Sequence, residues 1–212
     1  MPKHVSVFWA DMREHLPMLR SYLSMLSPEE HARANKYREK WDRNGFIVRR
    51  GILRQQLATL LGCAASSLPI TYSESRRPVI LNLNVQFSVS QSHDIALFAI
   101  AQRGAVGCDV EQLDRRLATQ AMAERIFTAD QVRLLSELPP DRWIEGFYRN
   151  WTHLEARLKA LGSGFLTDYI GEEKPSNFVA HHFSPRANYF ACVITQELTR
   201  QSEQREGPTA RR

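Results

Sequence analysis

The chain has few cysteines, and their spacing pairs none of them. Cys63, Cys108 and Cys192 are the three in 212 residues. They are isolated and unpatterned, which excludes a disulfide framework, fits a reducing compartment and predicts no zinc site. No run of 18 apolar residues exists, so no transmembrane helix is expected. The opening Met-Pro-Lys-His-Val leads straight into a strand-like segment and lacks the apolar core of a signal peptide. Together these absences predict a cytoplasmic protein. There is also no convincing internal repeat, no recognised nucleic-acid-binding module and no interleaving of aromatic with basic residues. Neither sign of charge dominates. The 28 Lys and Arg against 23 Asp and Glu leave a formal +5, a mild excess that suits phosphates, an acidic protein or nucleic acid without choosing among them. What remains is an ordinary globular composition, long enough for one large domain or two small lobes.

The most informative stretch runs from Gly104 to Glu111, Gly-Ala-Val-Gly-Cys-Asp-Val-Glu. It alternates, with Val106, Cys108 and Val110 on one side and Gly107, Asp109 and Glu111 on the other, as a half-buried strand does. Two carboxylates two residues apart on one face repel each other unless a cation sits between them. A hard divalent ion such as Mg²⁺ fills that role and commonly carries substrate phosphates. Gly107, lacking a side chain, is expected to leave room beside the acids for a ligand. Two ordinary acids on a solvated strand edge would give the same short pattern.

Around this strand the chain reads as a mixed α/β protein. Val5 to Ala10 is strand-like, and His15 to Leu26 carries leucines at helical spacing. Ser27-Pro28-Glu29-Glu30 is a helix start, opening a helix to about Lys40 on which Arg33 and Lys36 share a face. A further helix from Asp42 to a stop at Gly62 carries Arg49, Arg50 and Arg54, read as charges on solvated helix faces. Arg76 and Arg77 precede Pro78, which holds Arg77 on extended backbone. Val85 to Ser90 alternates into a strand, and Gln91 to Asp94 reads as a turn. The continuous apolar run Ile95 to Ala101 marks a strand covered on both faces. After two short helices, Ala118 to Phe127 and Thr128 to Glu137, a long helix runs from Pro139 to Leu161 and stops at Gly162. A closing hairpin follows over 177–183 and 189–195. Residues 199–212 have little to bury and are expected to be disordered.

On the long helix, about 100° per residue places Phe147, Leu154 and Leu158 on one stripe and Trp151, Glu155 and Lys159 on its neighbour. Glu155 and Lys159 then face the same way one turn apart. An ordinary surface ion pair has that spacing as well.

In order, the chain presents a basic pair, an Arg-Pro loop, a Phe-Ser-Val-Ser segment, a G-x-D-x-E strand and a W-x-x-x-E-A-x-x-K helix. This combination resembles the phosphopantetheinyl transferases of the longer, Sfp type, over Ser27 to Gly164. The resemblance implies a pseudo-dimer of two similar lobes, residues 1–110 and 111–198, each a small antiparallel sheet on a long helix. It also implies transfer of the 4′-phosphopantetheine arm of coenzyme A to a serine of an apo acyl or peptidyl carrier protein. Adenosine 3′,5′-bisphosphate leaves. By the same resemblance Asp109, Glu111 and Glu155 hold Mg²⁺, Glu155 accepts the serine proton, and Lys159 meets the pyrophosphate. Arg33, Lys36 and Arg77 bind the 3′-phosphate and nucleotide, and Ser90 and Gln91 belong to a phosphate-binding turn. The implied partner is an acidic carrier protein, with no nucleic acid or membrane, and the implied state is a monomer.

The chain departs from the family pattern twice. Gln91 stands where the family has histidine, and Leu154 where it has lysine, so two cation-capable contacts are missing. A degenerate relative that binds coenzyme A or a carrier protein without catalysis is therefore the second reading, and a basic nucleic-acid-binding protein the third.

Overall fold

The computed structural model describes residues 1–73, 78–80, 83–162 and 177–198. In chain order the elements are β1 (Val5–Asp11), α1 (Met12–His15), α2 (Leu19–Met25), α3 (Pro28–Ala34), α4 (Lys40–Leu61), β2 (Ile70–Tyr72), β3 (Pro78–Ile80), β4 (Gln86–Ser92), β5 (Ile95–Ala101), β6 (Val106–Gln112), α5 (Gln120–Ile126), α6 (Ala129–Ser136), α7 (Pro140–Leu161), β7 (Phe178–Phe183) and β8 (Tyr189–Gln196). They form two antiparallel three-stranded sheets, ordered β1-β5-β4 and β6-β8-β7, and a small β2-β3 ribbon. The expected mixed α/β fold, with small antiparallel sheets and two long helices, is what forms.

β5 explains the layering. All seven of its residues are buried, and its two faces go to different cores. Ala96, Phe98 and Ile100 pack with Phe46, Ile47, Leu53 and Leu57 of α4. Ile95, Leu97, Ala99 and Ala101 pack with Val106, Cys108 and Val110 of β6 and with Ala191 and Val193 of β8. The two sheets therefore meet face to face, with α4 outside the first. α7 lies outside the second, where Ala156 and Ala160 meet Cys192 and Ile194. A continuous apolar run is what a strand between two such layers requires.

Ends follow local chemistry. Ser27 caps α3 in a reciprocal box with Glu30: its hydroxyl accepts from the Glu30 amide at 3.3 Å and its amide donates to the Glu30 carboxylate at 3.0 Å. The helix stops at Ala34, short of the expected Lys40. The Lys36 and Tyr37 amides fold back to the Arg33 and Ala34 carbonyls, and the Tyr37 ring packs against Phe46 with centroids 5.6 Å apart. Aromatic packing on α4 thus diverts the chain from the helical path. β4 continues through Ser92, so the expected turn is shorter, at His93 and Asp94. β2 and β3 have too few residues for periodicity to reveal. Residues 199–212 lie outside the described residues.

β6 runs close beneath α7. A Cβ at Gly107 would collide with the Ala156 carbonyl and the Ala160 amide. The space opened by this glycine is thus taken by helix backbone, correcting its expected role as room for a ligand. Gly107→Ala should lower unfolding free energy by about 3 kcal/mol, the upper end for overpacking against a neighbour that cannot yield. Gly62→Ala, at a helix end with φ +66° and nothing within 4 Å, should cost only about 1–2 kcal/mol. Urea titration of both variants checks the order.

Candidate active site

Asp109 is the centre of the acidic strand and is buried. Its register on β6 turns it toward α7, where Lys159 donates to Oδ1 at 2.7 Å. Ser90 of β4 donates to the same oxygen at 2.7 Å, and Lys159 also donates to Ser90 Oγ at 3.1 Å. The other carboxylate oxygen, Oδ2, is buried with no hydrogen-bond partner. Burial opposes the charge on Lys159, but Asp109 overcomes it and holds the ammonium's pKa above the ordinary lysine value.

Serine hydroxyls bridge β4 and β6. Ser88 Oγ accepts from the Cys108 amide at 3.0 Å. Ser92 Oγ accepts from the Gln112 amide at 3.0 Å and donates to Glu111 Oε2 at 2.7 Å. Alternation sends Ser88, Ser90 and Ser92 toward β6 and leaves Gln91 on the side of α4, where its amide donates to the His93 carbonyl at 2.7 Å. Ser90 is therefore a strand residue holding Asp109. Ser92, which the sequence reading leaves without a role, holds Glu111.

Glu111 and Glu155 share one electrostatic problem. Burial pushes the pKa of each up, and the charge of Asp109 pushes the same way. Ser92 and Trp151 partly relieve Glu111, and Lys159 relieves Glu155. Among the described residues, the three-residue group of His, Cys, Asp or Glu with ligand atoms within 4.8 Å of one another is His153, His182 and Cys192. Ligands of an ion held at 2.0–2.1 Å lie within about 4 Å of one another. The donor set of the three carboxylates fits a hard divalent cation: oxygen atoms only, an orphaned buried oxygen on Asp109, and two acids whose charge is disfavoured without a positive neighbour.

On the opposite side of β4 lies a basic cleft of about 230 Å³, lined by Arg33, Tyr37, Phe46, Arg49, Arg50, Leu53, Pro78 and Val89. The Arg33 guanidinium sits 5.0 Å from the Tyr72 ring centroid, and that of Arg50 5.6 Å from Phe46. Arg50 and Arg54 are buried and share one fully buried carboxylate, Glu30, at 3.1 and 2.7 Å. This corrects the reading of Arg50 and Arg54 as solvated charges. They lie one turn apart, flanking Leu53 and Leu57, and that placement on an apolar surface is the signal in the sequence. Burial works against the charge of Arg49 and of Arg50 and lowers the pKa of each. An anion in the cleft would offset that cost.

Of the other expected site residues, Arg33 lines the cleft, whereas Lys36 is exposed beyond the end of α3 and is not among the lining residues. Arg77 lies outside the described residues. Leu154 is partly buried against the cluster of Phe147 and Tyr148, as its place on the apolar stripe predicts.

Residues 105–202 match the model of the 4′-phosphopantetheinyl transferase superfamily. A putative 4′-phosphopantetheinyl transferase of Synechocystis sp. is 30% identical over 168 residues, which span 76% of this chain and 68% of the relative. The 4′-phosphopantetheinyl transferase HetI of Nostoc sp. is 32% identical over 150 residues, 69% of this chain and 63% of the relative. The 4′-phosphopantetheinyl transferase AcpT of Escherichia coli is 31% identical over 105 residues, 49% and 54%. The matches thus span about two thirds of the first two relatives and about half of the third. The matched region carries the acidic strand and the Glu155–Lys159 helix, and the chain belongs to the 4′-phosphopantetheinyl transferase superfamily.

Proposed function

We propose that this chain transfers the 4′-phosphopantetheine arm of coenzyme A to the serine hydroxyl of an apo acyl or peptidyl carrier protein, releasing adenosine 3′,5′-bisphosphate. The observation that carries the reading is Asp109, buried with one oxygen held by Ser90 and Lys159 and the other unpartnered, beside β4, whose other side lines an arginine cleft. That is an acidic cation site next to an anion site, which a pyrophosphate joining a nucleotide to a reactive arm needs.

The cleft residues Arg33, Arg49 and Arg50 bind the nucleotide and its 3′-phosphate, with Lys36 and Arg77 as further contacts. Lys159 orients the pyrophosphate from the Asp109 side. Glu155 takes the serine proton; its raised pKa makes it a better base than a solvated carboxylate. Asp109, Glu111 and Glu155 would hold Mg²⁺, which when bound supplies positive charge to the phosphate oxygens in the transition state. The positive charge of the chain suits an acidic carrier protein.

Residues 1–110 and 111–198 form two similar lobes in this reading, in a monomer. Each sheet's association with a 22-residue helix supports it. No helix among the described residues is long and apolar enough to cross a membrane; a cytoplasmic site of action is part of the proposal. Gln91, with its amide turned to the His93 carbonyl, favours the second reading of a binding protein without catalysis.

Incubation with coenzyme A, Mg²⁺ and an apo carrier protein separates the two. Transfer adds the mass of the arm to the carrier; binding alone does not. Glu155→Gln should lower turnover by at least roughly a hundredfold, the scale of a lost general base. Arg49→Ala removes a charge-assisted phosphate contact worth about 1.5–3 kcal/mol. It should raise KM for coenzyme A by roughly 10–100-fold with turnover little changed. Steady-state kinetics of both variants read these outcomes.

The raised carboxylates also predict a stability effect. The folded state binds more protons than the unfolded state between the ordinary carboxylate pKa and the raised one, so stability falls as pH rises through that window. In chelator-treated protein Glu155→Gln should have a higher Tm than wild type at pH 7. Its advantage should vanish below the ordinary carboxylate range, where wild type is protonated in both states. Millimolar Mg²⁺ should raise the Tm of wild type more than that of the variant. An unchanged Tm difference across pH would remove the electrostatic penalty on Glu155.

A further inference from the structure

The second sheet puts three side chains of different chemistry in one row beneath α7. Cys192 of β8 pairs directly with Asp109 of β6 on one side and with His182 of β7 on the other, so all three share a face. His153 of α7 lies over the far end, its ring stacked on that of His182 with centroids 5.6 Å apart and 19° between planes. The ligand atoms of His153, His182 and Cys192 all lie within 4.8 Å of one another. Cys192 Sγ is 4.0 Å from His182 Nε2. Cys192 is buried and both histidines are partly buried. Independently, His182 Nδ1 is buried without a hydrogen-bond partner, which is unusual for a polar atom in a folded protein.

We propose that His153, His182 and Cys192 bind a borderline-soft divalent transition metal of the zinc class. Its ligands are distinct from the carboxylates, and three of them leave the fourth position of a tetrahedral ion to water. One thiolate and two imidazoles select zinc, cobalt or copper over magnesium, whose preferred donors are oxygens. Ligand atoms around a tetrahedral ion at 2.0–2.3 Å stand roughly 3.3–3.7 Å apart, so small side-chain rotations close the group on an ion. Binding releases the Cys192 thiol proton to solvent and leaves the sulfur as thiolate. The charge of Arg157 acts on His153 and that of Arg149 on His182, each disfavouring the protonated ring. Their positive charge lowers affinity below that of a closed structural zinc site, and the thiolate offsets part of it. The cysteine spacing gave no hint because the ligands come from a helix and two paired strands that only the fold brings together.

The test uses the full chain, stripped with chelator and kept reduced, titrated with Co²⁺ in the presence of millimolar Mg²⁺. One equivalent should produce a thiolate-to-cobalt charge-transfer band in the near ultraviolet and the strong visible bands of a four-coordinate ion, both abolished by Zn²⁺. Cys192→Ser should remove the charge-transfer band, while Cys63→Ser, at an exposed thiol, should leave it intact. His153→Ala alters a partly exposed helix position and should weaken cobalt binding at least roughly tenfold. It decides the matter should Cys192→Ser not fold. No charge-transfer band in wild type, a band that follows Cys63, or unchanged affinity in His153→Ala would each overturn the site. None of these readouts depends on transferase activity.

Discussion

Asp109 and Lys159 form the contact on which the other parts of the site depend. A partly buried ion pair is weak grounds for stability, since desolvating both charges offsets much of their attraction. Its value here is positional. Asp109 belongs to β6, Lys159 to α7 and Ser90 to β4, so three hydrogen bonds of 2.7, 2.7 and 3.1 Å tie together one helix and a strand from each sheet. Removing any member would leave a charge or hydroxyl in a place built for its partner. Gly107 makes the contact possible by letting α7 backbone approach β6. Close approach and the buried pair are thus one constraint seen at two residues.

Much of this was legible in the sequence because it rests on periodicity. The alternation from Val106 to Glu111 gives the faces of β6, and the apolar run from Ile95 to Ala101 gives a strand between two layers. The helical stripe that pairs Glu155 with Lys159 gives the facing side of α7. What was illegible depends on which surface covers an element. Ser88, Ser90 and Ser92 look like the polar side of an edge strand, and only the neighbouring β6 makes them a row of donors and acceptors. Arg50 and Arg54 stand among leucines, which signals burial, but only the fold shows that α3 delivers the Glu30 carboxylate they share. Gly107 could be read as space, but no periodicity says which neighbour fills it.

The two sides of β4 carry opposite electrostatic imbalances among the described residues. On the α4 side Arg33, Arg49 and Arg50 line one cleft, the Glu30 carboxylate is shared by Arg50 and Arg54, and burial disfavours the charge of Arg49 and Arg50. On the α7 side Lys159 pairs with Asp109 and its charge also acts on Glu111 and Glu155, while burial disfavours the charge of both glutamates. A chain optimised for stability alone would neutralise both groups. Under the proposed function, a ligand that brings anionic groups to one side and a cation to the other would offset both costs at once.

The row Asp109, Cys192, His182 extends this logic along the second sheet. Adjacent strands place a hard oxygen donor, a thiol and an imidazole at successive positions under one helix. Burial pushes the Cys192 thiol up to about 12, and the charge of Asp109 adds to it, so the thiol stays protonated beside the carboxylates and offers them no competing charge. Burial likewise pushes His182 down to about 4, keeping its ring neutral, the form that ligates a metal. Were Cys192 ionised, its charge would add to the repulsion already felt by Glu111 and Glu155. The protonated thiol therefore serves the acidic site, and a soft metal bound by Cys192 would cancel the thiolate charge it creates.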